Sequence, residues 1–252
     1  MRFILYNIRY GTGRRTRRAW MDILRHTNSH FETITKFIHD LKPDVVGLVE
    51  ADGGSFRMRR QHQACNMAQA IGHTHHTFGV KYRNNGIAKR LPVFSTQGNA
   101  LLTCKQIIKE KFHYFKHGLK RLVIELELEN ATLFLVHLSL RRGVRKRQMA
   151  HLQQLVASSS KPCIVAGDFN AIKGPKELDE FLSATGLKKA NTTDSPTYPS
   201  WNPYRVLDFV CYSPSLKLKS CTVPQVTLSD HLPLVCDFEE VEQVPVLEAM
   251  AS

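Results

Sequence analysis

The chain has 252 residues, 42% hydrophobic and 23% charged, a balance that excludes a disordered chain or a coiled coil. That length suits two small domains or one large α/β or β-sandwich domain, and can bury roughly three quarters of the unfolded surface. The net charge of +13 points to a polyanionic partner, either nucleic acid or an anionic membrane surface.

The cations gather in Arg14–Arg18, Arg57–Arg60 and Arg141–Arg147. Each run alone reads as a solvated face. No stretch approaches the ~20 apolar residues of a membrane span, and Phe3 to Leu5 is too short for the apolar region of a signal peptide. The six cysteines show no paired close spacing and several fall in apolar runs. Reduced core thiols in a cytoplasmic protein are therefore expected, not a zinc site or a disulfide framework.

Taken in order, Arg2 to Ile8 reads as a first strand that delivers Asn7 near its end, followed by a Gly- and Arg-rich loop over 10–27. Asn28 or Ser29 caps a helix with Phe31, Ile34, Ile38 and Leu41 at helical spacing, stopped by Pro43. Asp44 to Glu50 is a near-continuous apolar run, as in a strand buried on both faces, with Glu50 at its end. A carboxylate there is costly unless paired or bound to a metal. Gln61 to Ile71 is helical, with Gly72 as its stop.

Thr77–Val80, Ala100–Thr103 and Ile107–Phe115 are strand-like, and Leu122 to Glu129 alternates as a half-exposed strand. Thr132 to Leu140 is a buried strand carrying His137, and 144–157 is a helix. The next strand, Ile164 to Ala166, ends at Gly167, with Asp168 and Asn170 two apart. If strand geometry persists, alternation puts both on one side and Phe169 on the other. Together they can hold a water and a phosphate oxygen; an Asx turn closing the strand is the plainer reading. Pro175–Leu182 is a short helix, and 191–205 is a loop with Tyr198, Trp201 and Tyr204. Strands at Val206–Tyr212, which contains Asp208, at Leu216–Val223 and at Leu232–Phe238 follow, with Asp230-His231 before the last. A monomeric domain over 1–240 and a solvated tail over 241–252 are expected.

Asn7, Glu50, Asp168 with Asn170, and Asp230 with His231 thus recur at strand ends, joined by His137 and Asp208. Each alone has a structural explanation; the repetition suggests one shared site. Carboxylates with an amide match the oxygen-rich coordination of Mg²⁺ (Mn²⁺ being the alternative), and a histidine beside a carboxylate has a tunable pKa. Phosphoester cleavage is the chemistry this favours.

These pieces resemble the endonuclease/exonuclease/phosphatase superfamily, the deoxyribonuclease I-like fold. The matching segments are Tyr6-Asn7-Ile8, Val46 to Glu50, Gly98 to Leu102, Val136 to Ser139, Ala166 to Asn170, Leu207-Asp208 and Ser229 to Leu234, in the family's order across almost the whole chain. The resemblance implies a four-layer α/β/β/α sandwich with two mixed β-sheets and the site at one edge. It implies Glu50 as principal metal ligand with Asn7 and Asp230 assisting, Asp168 on the attacking water, Asn170 on the phosphate, and His231 oriented by Asp208. His137 matches a histidine that serves phosphate binding or acid/base chemistry in the deoxyribonuclease and sphingomyelinase branches. Two departures stand out: Val49 replaces the usual Gln before the metal-binding Glu, and His137 replaces the Asn of the abasic-site nucleases. Asn99 fits a phosphate contact or a plain strand start.

Two substrate classes remain open, because fold does not choose between them. A nuclease would use the cationic runs, Arg141 among them, with Tyr198, Trp201 and Tyr204 stacking on bases. A phospholipid or sphingolipid head-group phosphodiesterase, peripheral at the membrane, would use the same cations with Trp201 and Phe56 as interfacial anchors. Glu50-Ala51-Asp52 followed by a Ser-, Arg- and Gln-rich stretch looks more like the membrane-associated members. A binding module without chemistry is the third reading, and the presence of every motif residue counts against it.

Overall fold

Strands with apolar side chains on both faces need partners on both sides, and here each face finds one. The computed structural model describes residues 1–13, 28–55, 58–81 and 94–239. One sheet contains β1 (Arg2–Asn7), β2 (Val45–Asp52), β3 (His75–Val80), β4 (Gln97–Thr103), β11 (Leu218–Thr222) and β12 (Leu234–Phe238), in the order β11-β12-β1-β2-β4-β3. The other contains β5 (Lys109–Tyr114), β6 (Leu122–Glu127), β7 (Thr132–His137), β8 (Cys163–Asp168), β9 (Lys188–Lys189) and β10 (Asp208–Tyr212), in the order β5-β6-β7-β8-β10-β9. Each sheet has one parallel pair at its centre, β1 with β2 and β7 with β8. The remaining pairs are antiparallel, so both sheets are mixed.

Period-two alternation divides the side chains into layers. Phe3, Leu5, Val45, Val49 and Leu101 from the first sheet meet Ile124, Leu133, Leu135, Ile164, Ala166 and Val210 from the second. Ile4, Tyr6, Val46 and Leu48 turn outward onto α1 (Asn28–Asp40) and α2 (Gln63–Ile71). Phe134, Val136, Val165 and Phe209 turn outward onto α3 (Arg142–Ala157) and α4 (Asp179–Thr185). The result is the α/β/β/α sandwich that the motifs imply. α2 closes as expected, with Gly72 in the left-handed region at φ 75°.

Continuing the inward file of each strand gives the site. After Phe3 and Leu5 comes Asn7; after Leu133 and Leu135 comes His137; after Ile164 and Ala166 comes Asp168; and Val210 is preceded by Asp208. The parallel pairing sets His137 beside Asp168, and the antiparallel pairing sets Asp208 beside Asp168.

Several elements differ from their sequence reading. Glu50 does not end β2: it lies inside the strand in a bulge with φ 57°, where the register to β4 shifts between Leu48 and Ala51. Bulges re-aim a side chain, and this one sends Glu50 out of the strand's alternation. β8 stops at Asp168, and Asn170 takes a left-handed φ of 50°, so the two are related by a turn, not by alternation. β7 stops at His137, and the expected helix over 175–182 breaks into a 3₁₀ turn, Pro175–Leu178, followed by α4. The Arg141–Arg147 run is not wholly a solvated face, since Arg145 is buried and donates to the carbonyls of Ser139 and Leu140 and to Glu177 Oε2 at 2.5 Å. Nor are all the thiols in the core, since Cys104 is exposed. Arg14–Arg18, Phe56, Arg57 and the 241–252 tail lie outside the described residues.

At Gly167, φ is 153° and an added Cβ would lie 2.0 Å from the Val136 carbonyl oxygen. Gly167→Ala is expected to destabilise the protein by about 2 kcal/mol or more, because backbone of the neighbouring strand must move. Gly186→Ala, at φ 67° with open space around the new methyl, is expected to cost only about 1 kcal/mol. Urea unfolding of both variants checks the contrast; equal losses would contradict it.

Candidate active site

Asp168 is the hub. Its Oδ2 accepts from Asn7 Nδ2 at 3.3 Å and lies 3.2 Å from His137 Nε2 and 4.0 Å from His231 Nε2. Its Oδ1 accepts from the Asn170 amide at 2.9 Å. Burial alone would raise this carboxyl, but His137 and His231 outweigh that and hold it well below the usual carboxylate range. It is therefore anionic at every physiological pH.

His231 reaches the cluster from the loop before β12. Its Nδ1 lies 2.7 Å from Asp208 Oδ2, which also accepts from Thr197 Oγ1 at 2.7 Å. Thr197 Oγ1 in turn accepts from the Leu207 and Asp208 amides, so a short network fixes the carboxylate. The Tyr198 ring packs on the imidazole with centroids 4.9 Å apart. Burial disfavours a charged ring, yet Asp208, Asp168 and Asp230 together push His231 up to about 10. His231 is thus an imidazolium at neutral pH.

His137 is the opposite case. Burial pulls it down, and Lys120 and Lys81 add to the effect, leaving it at about 3 and neutral. Lys81 Nζ is 3.1 Å from Nδ1, and Lys120 Nζ sits against Nε2. A neutral ring has one acceptor nitrogen, and an ammonium can only donate. We assign that acceptor to Lys81, which is 1% exposed; Nε2–H then faces Asp168, and the partly exposed Lys120 is the cation with room to turn toward a substrate oxygen.

Glu50 completes the cluster from its bulge. Its amide donates to Asn99 Oδ1 at 3.2 Å, and its Oε1 lies 3.7 Å from His137 Nδ1 and 3.9 Å from both Lys81 and Lys120. Burial would raise the carboxyl; Lys81, Lys120 and His137 reverse this and hold it at about 2. Lys81 itself is lowered by burial to about 8, with Glu50 opposing the shift.

The sequence-derived candidates therefore divide. Asn7, Glu50, His137, Asp168, Asp208 and His231 converge. Asp230 is adjacent and pairs with Arg9, Nε to Oδ2 at 3.4 Å. Asn170 commits one amide hydrogen to the Leu138 carbonyl at 2.8 Å. Tyr198 reaches the site only through its packing on His231, while Trp201, Tyr204 and Arg141 lie on the surface around it. Lys81, Lys120, Arg9 and Thr197 were not legible in the sequence: they stand in loops or at a strand's edge with no motif around them.

Six buried side-chain atoms have no hydrogen-bond partner among the described residues, and two of them, Asn99 Nδ2 and Asp208 Oδ1, belong to side chains of this cluster. A buried amide hydrogen left without an acceptor suits a bound anion. The carboxylates of Glu50 and Asp230 and the amide oxygen of Asn7 are hard oxygen donors of the kind a Mg²⁺-type ion takes, so the chemistry of these residues fits such a cation. One ligand atom each from Asp168, Asp208 and His231 also lie within 4.8 Å of one another. Since Asp208 and His231 are hydrogen-bonded to each other at 2.7 Å, and His231 Nε2 lies 4.0 Å from Asp168, that trio reads better as an oriented imidazole facing a second carboxylate.

A family model described as the Endonuclease/Exonuclease/phosphatase family matches residues 4–231. The chain belongs to this family, whose members are generally hydrolases of phosphoester bonds. A UPF0294 protein of Klebsiella pneumoniae (strain 342) is 32% identical over 105 residues, which is 41% of this chain and 38% of that protein. The match thus spans about two fifths of the curated relative's length. An endonuclease/exonuclease/phosphatase from Beutenbergia cavernae superposes with TM-score 0.73 at 18% identity, over 95% of this chain and 71% of that one. The human nocturnin catalytic domain, solved with a bound sulfate anion, superposes with TM-score 0.67 at 20% identity, over 95% and 93%. At these identities the structural likeness speaks for the fold.

If charged His231 is the active form, activity persists up to its raised pKa and falls above it. Asp208→Asn removes the largest of the groups that raise it, so the alkaline limb of the pH–rate profile should move down by at least about one pH unit. A profile with an unmoved alkaline limb would exclude His231 as the titrating group.

Proposed function

We propose that this family member is a divalent-cation-dependent phosphodiesterase, acting as a monomeric cytoplasmic protein on a polyanionic substrate. The observation that supports it best is the pairing of an anionic Asp168 with a cationic His231 at one opening, beside an ionised Glu50. One group orients water, one answers the charge on phosphorus oxygens, and one holds a cation. Pairs of titratable groups pushed in opposite directions mark acid/base sites.

In this reading Glu50, with Asn7 and Asp230, would hold Mg²⁺ or Mn²⁺, which would supply Lewis-acid polarisation of the phosphoryl group. Asp168 accepts a hydrogen from the attacking water and takes its proton as the new P–O bond forms. The bond from phosphorus to the leaving oxygen breaks, and the departing alkoxide takes up a proton from solvent. His231 donates to the phosphoryl oxygens as negative charge develops there, held in place by Asp208. Asn99 Nδ2, Asn170 and Lys120 supply further donors to those oxygens. His137, kept neutral, holds Asp168 in position. A module without chemistry would have no use for this arrangement of buried charges. The exposed aromatic rings of Trp201 and Tyr204 keep nucleic acid as a second substrate reading, since each offers a face on which a base can stack.

Asp168→Asn keeps the shape and removes the charge. It should lower kcat on bis(p-nitrophenyl) phosphate by about 10³-fold, with a melting temperature within a few degrees of wild type; normal turnover would overturn the assignment. Glu50→Gln should raise the Mg²⁺ concentration for half-activation by about tenfold or more, read from a metal titration after chelation. An unchanged titration would refute its ligand role.

A further inference from the structure

Exposed large apolar side chains collect around the opening of the site. Leu119 is 66% exposed, Leu140 59% and Ile172 40%, and Trp201 and Tyr204 are also exposed. Strand pairing puts the loops that carry them at one end of the second sheet. Tyr114 pairs with Leu122, Val123 with Val136, His137 with Asp168 and Asp168 with Asp208. The connections after β5, after β7, after β8 and before β10 therefore emerge together where His137, Asp168 and Asp208 lie. Leu119 adjoins Lys120, Leu140 follows His137 by three residues, and Ile172 follows Asn170 by two. Cross-links make the loops continuous: Gln148 Nε2 donates to the carbonyls of His117 and Lys120, Asn170 Nδ2 to that of Leu138, and the Phe169 amide to that of Leu207.

The stretches of these loops nearest the site are rich in cations, with Asp194 and Glu177 just beyond them. Segments 115–124, 138–150, 169–176 and 198–207 contain no Asp or Glu. Lys116, Arg141, Arg142, Lys173 and Lys176 in them are exposed. Scattered apolar residues on a surface need no explanation, but an apolar set interleaved with cations around one opening does. Nucleic acid would pair with the cations and leave Leu119, Leu140 and Ile172 in water, since aliphatic side chains offer no face for a base. A bilayer of anionic lipid satisfies both, with the cations at the headgroups and the aliphatic side chains among the acyl chains.

We propose that this rim docks the protein on an anionic lipid surface and that the phosphoester presented to the site is a lipid headgroup's. The docking stands on the rim alone; the substrate class rests on the phosphodiesterase reading above.

Two readouts separate them: co-sedimentation with vesicles of phosphatidylcholine alone or of equimolar phosphatidylcholine and phosphatidylserine, and turnover of soluble bis(p-nitrophenyl) phosphate. Wild type should partition onto the mixed vesicles and release a phosphorylated headgroup. Leu119→Ser/Leu140→Ser/Ile172→Ser should lower partitioning by about tenfold or more while turning over the soluble ester within about twofold of wild type. Lys116→Gln/Arg142→Gln/Lys173→Gln should abolish the preference for phosphatidylserine. Asp168→Asn should still bind vesicles and release nothing. Failure of wild type to sediment, or a serine variant that binds as wild type does, overturns the docking. So does tight binding of single-stranded RNA or plasmid DNA with no vesicle binding. Vesicle binding without turnover of either ester leaves the docking standing and overturns the phosphodiesterase reading. Turnover of the soluble ester with vesicle binding but no headgroup release overturns the lipid as substrate.

Discussion

The constraint on which the site depends is the burial of Asp168. A carboxylate taken out of water must find compensation from fixed partners, or it takes up a proton and loses its use. Here the compensation is distributed: an amide from β1, an imidazole from β7, a backbone N–H from its own turn, and a second imidazole from the loop before β12. These groups come from both sheets, so the charge on Asp168 is stable only when the sandwich is closed. The fold and the site are one electrostatic object.

The two histidines show how the surroundings divide one chemistry into two roles. Both are buried, and burial alone would make both neutral. His231 faces Asp208, Asp168 and Asp230 and keeps its proton; His137 faces Lys81 and Lys120 and loses it. Within the site, Glu50 stands against Lys81 and Lys120, Asp208 against His231 and Asp230 against Arg9, so each acid has a basic partner. A site balanced in this way can accept a cation and an anionic phosphoester together more readily than either alone.

Much of this was legible in the sequence because strand alternation is a rigid rule. Once Phe3, Leu5 and Asn7, or Leu133, Leu135 and His137, are placed on one face, the polar residue at the end of the file must emerge where the core opens. The long apolar runs marked individual strands as buried on both faces, while the two-sheet arrangement came from the family resemblance. What escaped was set by geometry that alternation does not encode. The bulge that re-aims Glu50 and the left-handed turn at Asn170 break the period locally. Lys81 and Lys120 arrive through loop conformation, and their neighbours carry no pattern to distinguish them from other surface lysines. Arg145 was hidden for the converse reason: within a run of cations its sequence surroundings are those of a solvated residue, yet the Ser139 and Leu140 carbonyls and Glu177 hold it inside.

The same alternation accounts for the surface around the site. Strands in the interior have no exposed end to decorate, so the residues that meet a substrate first are those of the connecting loops. With segments 115–124, 138–150, 169–176 and 198–207 at this end containing cations and no Asp or Glu, attraction of a polyanion requires no further device. Attraction does not by itself select a polyanion, because phosphodiesters in nucleic acid and in lipid carry the same charge. Selection must come from the uncharged side chains between the cations. Three of those are aliphatic, and an aliphatic side chain held in water gains free energy only from a partner that is itself apolar.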